Sequence, residues 1–155
     1  MSSLTISDKE LSGVNHVNDE FGKETGQWSE VLSIFNLTPL KIKVLKTLLE
    51  FGNLQNNWDT YGSPPPTKLA IKRALKLVAD FLMDDDPMPQ IVPVSGGGIQ
   101  FAWRKQDREV NLDILPDGRM EYVKSLGDNI LEVNDNFALD WDKVRSMLAW
   151  VQQEQ

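Results

Sequence analysis

The chain has 155 residues, with 23 acidic against 16 basic side chains, a net charge of −7, one histidine and no cysteine. That length suits one domain able to bury a core without covalent staples. The missing cysteine excludes disulfides, thiolate catalysis and cysteine-held zinc or iron–sulfur clusters, and the lone His16 excludes a multi-histidine metal site within the chain.

The opening residues, MSSLTISDKELSGV, lack the basic head and apolar run of a signal peptide. No stretch reaches the ~18 apolar residues of a membrane span. A cytoplasmic location, with no membrane association, is therefore expected. Charge is unevenly distributed: 1–36 carry a balance of −4, 37–80 one of +4, and 81–155 one of −7. The surface is thus expected to be dipolar, with a basic middle inside an acidic whole.

Residues 1–24 are polar with weak periodicity and read as a mobile arm. A single α+β domain is expected over 25–155. Trp28, Val31, Leu32 and Phe35 follow the i, i+3, i+4, i+7 spacing of a short helix. Thr38-Pro39 reads as an N-cap followed by proline at the first helical position, where its missing N–H costs nothing. The helix it starts, over 39–51, is expected to bury Leu40, Val44, Leu45, Leu48 and Leu49 and to turn Lys41, Lys43 and Lys46 outward.

A third helix is expected over 66–83, with Ile71, Ala74, Leu75, Val78, Phe81 and Leu82 inward and Lys68, Lys72, Arg73 and Lys76 in solvent. Asp84, Asp85 and Asp86 are expected at its C-terminus, opposing the helix dipole, before Pro87 ends it.

The period then changes to two. A short, proline-interrupted edge strand is expected over 90–94. Ile99, Phe101 and Trp103 alternate with Gln100, Ala102 and Arg104, and Val110, Leu112 and Ile114 alternate with Glu109, Asn111 and Asp113. Pro116-Asp117-Gly118 is a hairpin signal, Met120 and Tyr122 continue the apolar face, and a last strand is expected near 130–133. Asp140 reads as the N-cap of a final helix whose stripe is Trp141, Val144, Leu148 and Val151. The architecture predicted is α+β: N-terminal helices, a four- to five-strand antiparallel meander, and a C-terminal helix packed on one sheet face.

Few patterns carry chemistry. The "SGGG" at 95–98 precedes a strand and is followed by no lysine, so it reads as a hairpin turn and not a phosphate loop. Glu109, Asp113 and Glu121, with Arg104 and Arg119 beside them, read as ion pairs on a solvated sheet face, and as acid–base or Mg²⁺-binding groups only in a third-ranked reading as a metal-dependent enzyme. No cofactor and no metal site is expected.

The stretch NNWDTYGSPPP, residues 56–66, is the most distinctive. Trp58 and Tyr61 read first as a plug over the open end of the core, with Asp59 accepting loop N–H groups, Gly62 supplying a positive φ and the prolines fixing the entry of the next helix. The competing reading is an anchor for a partner, because tryptophan and tyrosine dominate interface hot spots. Residues 56–123, combining NWDTYGSPPP, PMPQIVPVSGGGIQFAW and EVNLDILPDGRMEY, resemble a family of small bacterial and phage proteins with the pattern W-D-x-Y-G, a helix, then P-x-x-x-P and G-G-x-Q-x-x-W. That family has no assigned activity, so the resemblance implies fold and boundaries. The first 36 residues and the final helix lie outside it.

The leading functional expectation is a small, acidic, non-enzymatic protein that binds and inhibits or neutralises a protein partner, in an immunity, antitoxin-like or phage counter-defence setting. Its partner-binding residues would be Trp58, Asp59, Tyr61, an acidic rim of Asp84, Asp85 and Asp86, and an exposed Trp150. The second reading is a nucleic-acid-associated accessory domain using Lys41, Lys43, Lys46, Lys68, Lys72, Arg73 and Lys76.

Overall fold

A computed structural model describes residues 37–154. The arm over 1–24 and the helix expected at Trp28–Phe35 lie outside the described residues. Helix α1 spans Pro39–Phe51, α2 Lys68–Phe81 and α3 Trp141–Gln152. Between α2 and α3 run β1 (Gln90–Val94), β2 (Gly98–Lys105), β3 (Arg108–Ile114), β4 (Met120–Leu126) and β5 (Asn129–Asn134). They form one antiparallel sheet in chain order, the simplest meander. The α+β architecture read from the alternating periods is the one observed. No helix among the described residues is long and apolar enough to cross a membrane.

Each helix begins on the cap its sequence offers. Thr38, Thr67 and Asp140 accept the N–H of Lys41, Ala70 and Lys143 through their side-chain oxygens. Each cap satisfies a donor that the first turn leaves orphaned.

The register places Phe101 between Ile91 and Leu112, and Leu112 opposite Tyr122. These residues, with Ile99, Trp103, Val110, Ile114 and Met120, form the apolar sheet face. The helices cover it: α2 and α3 both pack on β2 and β3, while α1 packs on α2 and β1. Val44, Leu48, Ala74, Leu77, Val78, Val144, Leu148 and Val151 supply the facing layer. Burying each large aliphatic side chain contributes about 1.5–3 kcal/mol. Two polar groups of the core find backbone partners: Trp103 Nε1 donates to the Pro87 carbonyl at 3.1 Å, and Phe137 N to Met120 O at 2.8 Å.

Several inward and outward assignments differ from the expectation. Leu49 is exposed, and Lys41 is buried instead of outward, its Nζ donating to the Ala79 carbonyl of α2 at 2.9 Å. The lysine stem packs as a hydrocarbon, and its head satisfies a carbonyl near the end of α2. Trp141 is exposed and Met147 takes its expected place in the stripe.

Helix α2 ends at Phe81, so Asp84, Asp85 and Asp86 lie in a separate turn beyond it and do not oppose its dipole. Asp86 is not part of an exposed rim. Its side chain is 7% exposed and forms a bidentate pair with Arg145 at 2.6 and 2.7 Å. The same guanidinium donates to Phe81 O at 2.5 Å and lies 4.9 Å from the Trp141 ring centre. One side chain of α3 thereby closes the end of α2 and ties down the turn that follows.

Candidate functional site: the loop from 57 to 64

The segment between α1 and α2 is organised by its own polar side chains. Asn57 N donates to Ser63 O at 2.8 Å, closing the loop at its neck, and Thr60 N donates to Asn57 O at 3.1 Å. The Asn57 side-chain oxygen accepts Gly62 N at 2.7 Å. Asp59 accepts the N–H groups of Tyr61 and Ser63 on Oδ1, at 3.0 and 3.1 Å, and the Ser63 hydroxyl on Oδ2 at 2.5 Å. The hydrogen bond from Ser63, with help from the two backbone N–H groups, holds the Asp59 carboxyl below its ordinary value against the opposing effect of desolvation. Trp58 Nε1 donates to Pro64 O at 3.0 Å, folding the indole back along the loop.

Three backbone positions in this short span have positive φ: Asn57 at 67°, Thr60 at 65° and Gly62 at 88°. Glycine and asparagine tolerate that region, but for a β-branched threonine it stores about 1–3 kcal/mol of strain. The side-chain bonds from Asn57 and Asp59 over-determine the backbone around it and hold the strained residue in place.

The exit of the loop is bolted to the sheet turns. Ser63 Oγ lies 3.0 Å from Ser95 Oγ, Thr67 N donates to Gly97 O at 3.0 Å, and Thr67 Oγ1 donates to Pro116 O at 2.7 Å. Gly97, at φ +93°, lies so close that a Cβ there would sit 3.2 Å from the Pro65 carbonyl. The prolines therefore direct the chain across the β1–β2 and β3–β4 turns into the Thr67 cap. No family model, curated protein or solved structure matches this chain.

The aromatics do not plug the core. Tyr61 is 92% exposed at the loop apex. Trp58 is half-buried, is not among the residues packed against the core cluster, and turns its indole N–H back on the loop at Pro64 O. Sequence reasoning identified Trp58, Asp59, Tyr61 and Gly62 as a unit and Asp59 as its Asx acceptor; it did not identify Asn57, Thr60 or Ser63 as partners in holding it.

The other candidate residues are scattered. Asp84 and Asp85 are exposed. Trp150, expected to be exposed, is half-buried against the core, with Lys124 Nζ 4.4 Å and the Arg108 guanidinium 5.0 Å from its ring centre. That stack ties α3 to β3 and β4. Of the basic residues, Lys43, Lys46, Lys68, Lys72 and Arg73 are exposed, whereas Lys41 is buried and Lys76 pairs with Asp80 at 2.5 Å. On the outer sheet face Glu109 is held by Arg104 and by Asn111 Nδ2, at 2.5 and 2.9 Å, beside an open hollow of about 370 Å³. Asp113 accepts Gln100 Nε2 at 2.8 Å, and Arg119 pairs with Asp117 in the hairpin turn. Among the described residues no group of three or more acids and histidines is placed to hold a metal.

Proposed function

We propose that this protein acts by binding a protein partner through the loop at 57–64, with Tyr61 as the anchor and Trp58 and Asp59 shaping its base. The observation that carries the reading is Tyr61, 92% exposed on a backbone fixed from both sides. An aromatic side chain so exposed contributes nothing to the fold, yet it offers a partner large apolar area with a polar tip. A preorganised loop also avoids the ordering entropy that a flexible one loses on association. Covering a functional surface of the partner is the simplest way for such a binder to inhibit or neutralise it, which is the antitoxin-like or counter-defence role expected from the sequence.

Comparative affinity capture from the cells that encode the protein tests the reading. Tyr61→Ala should leave thermal unfolding unchanged, while one protein retained by the native chain disappears from the variant's capture and, once purified, binds the native chain directly. Identical capture profiles for the two chains would sink the proposal. Nucleic-acid binding, the second reading, would appear instead as a captured polyanion lost on replacing Lys68, Lys72 and Arg73 and released steeply by salt.

A further inference from the structure

The two edges of the sheet are built differently. β1 carries Pro93, which has no N–H to offer, and α1 packs beside it. β5, at the other edge, contains no proline, and Ile130, Leu131 and Val133 are 67%, 52% and 60% exposed. Edge strands are ordinarily blunted with proline, with charged side chains, lysine above all, or with a bulge, because their outward N–H and C=O groups template further pairing. The charge within β5 does not serve that purpose. Glu132 lies opposite Lys124 on the helix-covered side, accepts Lys143 Nζ at 2.7 Å and also accepts the Tyr122 hydroxyl. A register shift beside Lys124 and Ser125 leaves Leu131 without a partner on β4. This bulge is the one such device among the described residues of β5, and the extra residue it presents is an exposed leucine in place of a charge. Val133 continues an apolar row on the open face, opposite half-buried Val123.

The flanking charge selects the occupant. Exposed Asp128 and Asp135 bracket the apolar run, and neither is in an ion pair among the described residues. A second copy paired antiparallel about the strand centre, with Leu131 opposite Glu132, would set Asp128 of one chain against Asp135 of the other. Like charges directly opposite one another destabilise a strand pair, and each chain already carries −7. We propose that β5 receives an extended segment of another protein, apolar at alternate positions and flanked by lysine or arginine, which adds a sixth strand to the sheet. This surface is separate from the loop at 57–64, which is anchored on the β1–β2 and β3–β4 turns.

The probe is a short fluorescein-labelled peptide of alternating valine and threonine between terminal lysines, followed by fluorescence anisotropy. Saturable binding is expected, weakened about tenfold when aspartates replace the lysines, since two flanking attractions become two repulsions. N-methylation of alternate amides keeps the charge and should abolish binding. Leu131→Lys and Val133→Lys, both on exposed positions, should each abolish it as well, while Tyr61→Ala should not change it. Absence of saturable binding, equal binding of the N-methylated or aspartate-flanked peptide, or full retention in both lysine variants would overturn the proposal. So would a dimer in sedimentation velocity that Leu131→Lys dissociates, because the edge would then serve a second copy.

Discussion

Replacing Asp86 with alanine tests the joint between α2 and α3. The mutation removes the two bonds from Arg145, at 2.6 and 2.7 Å, and the acceptor of Met83 N at 2.7 Å, and leaves the Arg145 guanidinium largely enclosed. Its Nε is already buried without an acceptor among the described residues, so little alternative bonding is at hand. Breaking a buried pair from one side costs about 3–5 kcal/mol. The lower end, about 3 kcal/mol, applies here because Arg145 keeps 25% of its side chain in solvent and can retain its bond to Phe81 O. At a urea slope of about 1.5 kcal/mol per molar, the unfolding midpoint should fall by about 2 M with the slope unchanged. The melting temperature should fall by about 10 °C. Asp84→Ala and Asp85→Ala, on exposed neighbours, should each change stability by less than about 0.5 kcal/mol. The double variant Asp86→Leu with Arg145→Met should recover part of the loss, because an apolar pair leaves no stranded charge although Met83 N and Phe81 O lose their side-chain partners. A loss below about 1 kcal/mol at Asp86, or an equal loss at Asp84, would refute the assignment of this pair as a structural joint.

Two further outcomes follow from the turns and the β5 face. Gly97→Ala should destabilise by about 2 kcal/mol and exceed Gly96→Ala, since both sites have positive φ but only Gly97 would also meet the Pro65 carbonyl; urea titration of the pair checks this. Lys143 and then Tyr122, by donating hydrogen bonds, hold Glu132 below its ordinary pKa, while Lys143 is raised by the same contact. The Glu132 contribution is therefore present above its unfolded pKa and lost as pH falls through the lower folded one; that of Lys143 is present below its unfolded pKa and lost as pH rises through the higher folded one. Glu132→Gln should accordingly narrow the gap in stability between about pH 7 and pH 3, and an unchanged gap would contradict the contact.

Elements were legible wherever local chemistry decides them. The Thr38 and Asp140 caps, the proline opening α1, the period-two alternation of β2 and β3, and the Pro116-Asp117-Gly118 hairpin all act over a few residues, and each appears where its pattern placed it. Tertiary partners were not legible. Lys41 follows a solvent-facing helical position, yet it meets a carbonyl 38 residues away. Asp86 reads as one of three equivalent acids, yet only it finds an arginine, 59 residues on. A charge pattern states what a side chain carries and not what the fold brings beside it. The exposed apolar run of β5 was hidden by the same limit, since the residues that predict a strand near 130–133 do not say that it lies at the sheet edge with Ile130 and Val133 exposed.

The loop at 57–64 shows how a wrong orientation can follow from correctly recognised parts. Tryptophan and tyrosine in a loop invite the reading of a plug because large apolar area gains most from burial. That gain is available only to side chains that turn toward the core, and at the apex of this loop Tyr61 does not. Asn57 and Asp59 turn their side chains inward on the loop's own N–H groups, and Trp58 turns its N–H on the Pro64 carbonyl. With the interior of the turn taken by polar atoms, the apex side chain is left facing solvent, and that side chain is Tyr61. The same bonds that stop the loop from collapsing onto the sheet make it rigid enough to present an aromatic at a fixed position. A strained, locally bonded turn carrying one exposed tyrosine is the arrangement on which the proposed partner binding rests, and it leaves core closure to the helices.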